Sequence, residues 1–190
     1  MQESTSLLIL WLLSSLKQER STLCLIQMLE CPAAQAEIAL HRVTSDGLAE
    51  QRDETWSLTQ AGAEYLRETL PGFLFRDTGS PLEELISACE SQMPETACEI
   101  CTKRMRALMR KADIAGSAGY LELLLNQLEQ WQGRRLTAPE ARSFIQYSFA
   151  AHDASFYYMK NAARSSALLQ KASGYAASAG DKPTHVLIRF

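Results

Sequence analysis

Apolar positions recur along this chain mostly at intervals of three and four, the spacing of one helix face. Residues 4–17, "STSLLILWLLSSLK", are apolar nearly all round and predict a buried first helix. Residues 21–30 carry Leu23, Leu25, Ile26 and Leu29 at helical spacing, and "CP" then interrupts the pattern, because the residue before a proline is pushed out of the helical region. The helix resumes over residues 33–45, with Leu40 and Val43 three apart, and Asp46-Gly47 stops it. Glycine accepts the left-handed conformation that closes a helix.

Between residues 48 and 58 the pattern changes period. In "LAEQRDETWSL", Leu48 precedes a charged tip, "RDE", and Trp56 and Leu58 follow it. This predicts two short strands joined by a tight turn. Thr59 can cap the helix that follows, "QAGAEYLRETL". The stretch "PGFLFRDTGSP", residues 71–81, reads as a linker. It ends in a helix start, with Ser80 as N-cap, Pro81 at the first position and Glu83 closing a capping box. Further helices are expected over residues 94–112, 117–132, 139–151 and 154–177, with a second capping box at Thr137 and Glu140 and a turn at His152-Asp153. The tail "THVLIRF" alternates Val186, Ile188 and Phe190 and predicts a short extended segment.

These elements predict a mainly α protein. Residues 1–70 form an N-terminal winged helix with a small β-hairpin, and residues 81–190 a C-terminal helical bundle with a short extended tail. Packing assigns the core of the first part. Leu40, Val43 and Leu48 should seal the third helix onto the first, Leu58 should bring the wing back, and Tyr65 and Leu66 should close the core.

The run "ALHRVTSDGLAE" followed by "WSLTQAGAEYL" resembles the winged helix-turn-helix of bacterial regulators of the PadR and MarR type. The resemblance covers about 65 residues. It implies a dimeric DNA-binding transcriptional regulator whose third helix enters the major groove while the wing touches phosphate. Gln35, Glu37, Ile38, His41 and Arg42 would then face outward. Gln35, His41 and Arg42 are the expected base-reading side chains, since Gln can pair with adenine and Arg with guanine. Arg52 on the wing would contact phosphate. The bundle would dimerise the protein or sense a ligand or partner.

Charge complicates this picture. The whole chain has a formal net charge of −3. Residues 1–70, however, hold five basic side chains against ten acidic ones, a net of −5, which leaves +2 for the rest. DNA affinity comes largely from neutralising phosphates, and the wing offers one arginine beside three acids. A second reading is therefore kept open, in which the acidic winged helix belongs to a non-enzymatic adaptor and binds a protein. The densest basic run is "CTKRMRALMRK", where Lys103, Arg106, Arg110 and Lys111 fall on adjoining turns of one helix face. It suits phosphate or an acidic partner, or is simply the solvated side of an amphipathic helix backed by Met105, Leu108 and Met109.

No catalytic constellation emerges, and neither a cofactor nor a metal is expected. Cys98 and Cys101 in "CEIC" share a helix face and offer either a redox pair or two small buried residues. Structural zinc usually needs four ligands, and no second pair of cysteines exists. "GYAASAGDK" has the wrong spacing for a phosphate loop, and Pro183 follows Lys182 where that motif needs Ser or Thr. The aromatic cluster "FIQYSFAAHDASFYYM" reads as a packed helical hairpin or a ligand pocket. The N-terminal apolar run is about 11 residues, too short to span a bilayer, and lacks a preceding positive charge. A cytoplasmic protein with no membrane association is expected.

Overall fold

The computed structural model describes residues 2–17, 20–73, 80–158 and 162–178. The chain divides into two compact units, Met1–Ser87 and Ala88–Phe190.

The first unit runs α1 (Gln2–Ser15), β1 (Arg20–Ser21), α2 (Thr22–Leu29), α3 (Ala33–Ser45), β2 (Ala49–Arg52), β3 (Thr55–Leu58) and α4 (Gln60–Phe73). Helix α1 is buried without a break from Leu7 to Leu13, so it lies within the core rather than on its surface. Ser21 caps α2 by accepting the Cys24 N–H at 3.3 Å, and the helix ends at Glu30 in the left-handed region, φ 51°. In α3 the residues Ala36, Ala39, Leu40 and Val43 form one buried face, which packs against α1. Gly47, at φ 71°, then turns the chain, and the Leu48 N–H donates to the Val43 carbonyl at 2.8 Å as the wing begins.

The wing is the expected hairpin, with Ala49 opposite Leu58 and Arg52 opposite Thr55. The two-residue strand β1 joins it, making an antiparallel sheet in the order β1-β3-β2 with Arg20 opposite Trp56. A two-residue strand carries no alternation, so the pattern could not announce it. Trp56 is buried, and its indole N–H donates to Thr22 Oγ1 at 2.8 Å, tying the wing to the start of α2.

One tight junction joins α3, the wing and α4. Thr59 Oγ1 accepts the Gly62 N–H at 3.0 Å and donates to the Gly47 carbonyl at 2.7 Å. The Thr59 N–H donates to the Leu48 carbonyl at 3.2 Å. Helix α4 presses so closely on this turn that a Cβ on Gly62 would lie 1.9 Å from the Leu48 carbonyl oxygen. The expected cap at Thr59 therefore has a tertiary role as well.

Two expectations for this unit need correction. Tyr65 does not close the core; it is 41% exposed. The buried face of α4 is Gly62, Leu66 and Leu70, an i, i+4, i+8 line that leaves Tyr65 one position to the side. The expected linker also begins too early. Helix α4 continues through Pro71 to Phe73, because a proline in the last turn forfeits only one hydrogen bond before the helix ends anyway. Most of the remaining linker lies outside the described residues.

The helix α5 (Pro81–Glu90) contains the division between the units. Its capping box is formed as expected: the Glu83 N–H donates to Ser80 Oγ and the Ser80 N–H to Glu83 Oε2, both at 3.3 Å. The second unit then consists of α6 (Pro94–Arg110), α7 (Ile114–Trp131), α8 (Ala138–Tyr158) and α9 (Ala162–Ser178). Helix α6 packs chiefly on α7, and α8 on α9. Asp113 Oδ1 caps α7 by accepting the Gly116 N–H at 2.9 Å. Glu140 Oε2 accepts the Thr137 N–H at 2.7 Å at the head of α8. These Thr137 hydrogen bonds hold the Glu140 carboxyl below its ordinary range.

Phe144 stands edge-on between Trp131 and Tyr175, with ring centroids 5.9 and 5.4 Å away. These three rings join α7, α8 and α9. Arg164 on α9 adds a polar clasp to α7, donating from Nε to Glu129 Oε1 at 2.7 Å and from Nη2 to Asn126 Oδ1 at 2.6 Å. The expected turn at His152-Asp153 does not occur, since both residues lie inside α8. The buried face continues through them as Ala150, Ala151, Ala154 and Ser155, and Asp153 stays exposed, so nothing there obliges the helix to stop. The described part of α8 ends at Tyr158 and that of α9 begins at Ala162, and the tail after residue 178 lies outside the described residues.

Two substitutions test this packing. Leu40 is 2% exposed, and Leu40→Ala should destabilise the protein by about 2–5 kcal/mol in a denaturant titration. Gly62→Ala should cost about 1–3 kcal/mol, although alanine ordinarily favours a helix interior by about 1 kcal/mol. Gly72, in the same helix, has open space around it, and Gly72→Ala should not destabilise. Equal effects at the two glycines would refute the close approach at Leu48.

Candidate interaction surface

A winged helix presents the outer face of its third helix together with its wing. On α3 that face carries Glu37, Ile38, His41 and Arg42, all exposed as expected. Ile38 is 55% exposed, a large apolar side chain between an acid and a histidine. His41 Nδ1 lies 3.3 Å from Ser45 Oγ, one turn on.

Gln35 is a correction. It is half-buried, and its Nε2 donates to Thr5 Oγ1 on α1 at 2.9 Å. Gln35 is one turn before Ala39 on the buried side of α3, so its amide fastens that helix to α1 and is not presented to a base.

Both arginines expected to contact DNA remain exposed, and each stands beside a carboxylate. Arg42 Nε is 3.8 Å from Asp46 Oδ2. On the wing, Arg52 Nη2 is 3.1 Å from Glu50 Oε1, and that carboxylate oxygen also accepts from Ser57 Oγ at 3.2 Å. Asp53 makes the turn at the wing tip in the left-handed region, φ 54°, and the Gln51 side-chain amide braces its carbonyl at 3.1 Å. Exposed ion pairs are worth about 0–1 kcal/mol, so a phosphate could open either one. The surrounding field is harder to overcome. Over residues 33–58 the acids Glu37, Asp46, Glu50, Asp53 and Glu54 outnumber the two arginines, and their sum repels a polyanion. The Arg42–Asp46 spacing of i, i+4 was readable from sequence; the cross-wing pairing of Glu50 was not.

The basic face of the second unit is where the helical pattern puts it. Lys103, Arg106, Arg110 and Lys111 are exposed, opposite a buried face of Ala97, Cys98, Cys101, Thr102, Met105 and Leu108. Lys103 Nζ pairs with Glu99 Oε1 at 2.6 Å.

Cys98 and Cys101 belong to that buried face, and all five cysteines are free thiols. Burial pushes the Cys98 and Cys101 thiols well up, helped by the neighbouring Cys89, itself raised to about 12 mainly by burial. Tyr147 on α8 is raised to about 12 by burial and then by Glu99 and Cys98. A thiol held in its neutral form is a poor nucleophile and a poor metal ligand, which favours the packing reading of this pair. Among the described residues no group of three or more His, Cys, Asp or Glu side chains is placed to hold a metal ion. Phe144 and Tyr147 are buried, so the aromatic cluster supplies packing at those positions, while Phe156 is 72% exposed with its ring on His152, centroids 5.2 Å apart.

No single helix among the described residues is long and apolar enough to cross a membrane. No protein-family model, curated protein or solved structure matches the chain.

The thiol environment makes a direct prediction. In the folded protein at about pH 8, Cys98 and Cys101 should react with iodoacetamide at least about 100-fold more slowly than the half-buried Cys31, and at comparable rates once the protein is unfolded. Peptide mass mapping of a labelling time course reads this out, and rapid native labelling at position 98 or 101 would revive the redox reading.

Proposed function

We propose that the chain is a non-enzymatic interaction protein of the cytoplasm whose winged helix docks on another protein through α3 and the wing. The observation that carries the reading is the surface itself. An exposed isoleucine lies on α3 amid an excess of carboxylates. An apolar anchor rimmed by charge suits a protein partner, where the anchor is desolvated and the rim sets specificity. The same surface suits DNA poorly, because there the binding energy must come from cations. Carboxylates around Ile38 favour a partner that is basic near its contact.

A second reading keeps the winged helix on DNA as a dimeric transcriptional regulator. It is favoured by one observation: Arg42 and Arg52, the two cations of this surface, are both exposed and held only by weak surface pairs. In that case the third helices of a two-fold dimer would stand about 34 Å apart.

Fluorescence anisotropy with mixed-sequence duplex DNA, across a salt series, separates the readings. The adaptor reading expects no saturable binding below about 100 μM protein at physiological salt. It further expects Ile38→Asp to leave the thermal melt unchanged and to abolish capture of the partner that the wild type retains. The regulator reading expects Arg42→Ala to cost about 1–3 kcal/mol on a selected site and much less on random DNA. It expects Arg52→Ala to weaken both alike and to flatten the salt dependence. Micromolar DNA binding with that signature would overturn the adaptor reading.

A further inference from the structure

The first unit contains a cleft of about 270 Å³ that shares Arg42 with the outer face of α3. It is lined by Ser6 and Leu10 of α1, Arg42 and Val43 of α3, Asp46 and Leu48 of the turn into the wing, and Tyr65 of α4. Its chemistry is composite. Leu48 gives it an apolar wall, with the buried Leu10 and Val43 behind, and Tyr65 adds an aromatic face. Arg42 and Asp46 put one positive and one negative group on the same lining, 3.8 Å apart and each about half exposed, 48% and 55%. That separation is at the loose limit of an ion pair, so neither charge is strongly committed to the other. Ser6 lies among the lining residues, with its hydroxyl buried and without a hydrogen-bond partner.

We infer that this cleft is a binding site for a small zwitterion with an apolar body, of the class of the apolar and aromatic α-amino acids. The carboxylate of such a ligand pairs with Arg42, which presents a forked donor suited to it. Its ammonium pairs with Asp46. The side chain packs on Leu48 beside Tyr65, as expected of a pocket whose few polar groups fix orientation while apolar walls supply contact. The cleft volume suits one residue-sized ligand. A zwitterion meets both charges of the lining, whereas a ligand bearing only one charge meets one of them.

The site also sits where a ligand would be felt. Arg42 belongs both to the cleft and to the outer face of α3, so occupation redirects its charge from that face into the cleft. The inference stands whether the α3 face meets protein or DNA.

The test is calorimetry on the full chain with phenylalanine, leucine, glutamate, phenylacetate and phenethylamine, each at up to about 10 mM. Phenylalanine or leucine should bind, and phenylacetate and phenethylamine should bind at least about tenfold more weakly. Arg42→Gln and Asp46→Asn should each reduce phenylalanine binding at least about tenfold. Both side chains are half exposed, so the variants should keep the wild-type melt, which circular dichroism checks. Amide chemical shifts on titration should move at Ser6, Leu10, Val43, Leu48 and Tyr65. The inference is overturned if neither phenylalanine nor leucine binds, if glutamate or phenylacetate binds as well as phenylalanine, or if both variants bind like the wild type.

Discussion

The first unit depends on the contact between Gly62 and the Leu48 carbonyl. Helix α4 can close on the turn between α3 and the wing only because position 62 has no Cβ, which would lie 1.9 Å from that oxygen. The contact does not stand alone. Thr59 bonds forward to Gly62 and back to Gly47, and its own N–H reaches Leu48. Three successive elements, α3, the wing and α4, are thereby held at one point. The wing leaves from there at a fixed angle, its far strand pinned by the Trp56–Thr22 hydrogen bond. The same closure leaves Tyr65 to the side of the buried line of α4, where it becomes part of a cleft wall. The Gly of the "LTQAG" run is thus required by steric approach, not by backbone conformation.

Shape and charge in this unit answer to different constraints. The shape is set by apolar faces and caps, which are indifferent to the sign of surface charge. The function of the surface is set by that sign, because a polyanion is bound through cations or not at all. An architecture of helices and a small hairpin therefore leaves the sign of its outer face undetermined. The two arginines illustrate this. Both are exposed on α3 and the wing, and their neighbours, Asp46 and Glu50, offset them.

The second unit is held by different means. Its helices are joined by the edge-on stack of Trp131, Phe144 and Tyr175 and by the Arg164 clasp on Glu129 and Asn126. Cys98 and Cys101 sit on the buried face of α6, where burial keeps them protonated. That environment makes them packing groups whose reactivity is suppressed by the fold that contains them.

Local chemistry made much of the fold legible in the sequence. Hydrophobic spacing gave most of the helices, and Asp46-Gly47, Thr59, Ser80 with Glu83 and Thr137 with Glu140 marked ends whose hydrogen bonds reach only a few residues. The basic face of α6 and the exposure of His41 and Arg42 followed from helical periodicity alone. Tertiary structure decided whatever depends on residues far apart in the chain. The strand β1 exists only because β3 is there to pair with it. Gln35 turns inward because Thr5 is opposite. His152 and Asp153 stay helical because the buried alanines on either side of them continue one face. The cleft of Ser6, Arg42, Asp46 and Tyr65 is assembled from three helices and a turn. A periodic pattern specifies which face of a helix is apolar; which polar side chains meet across those faces is fixed only when the faces pack.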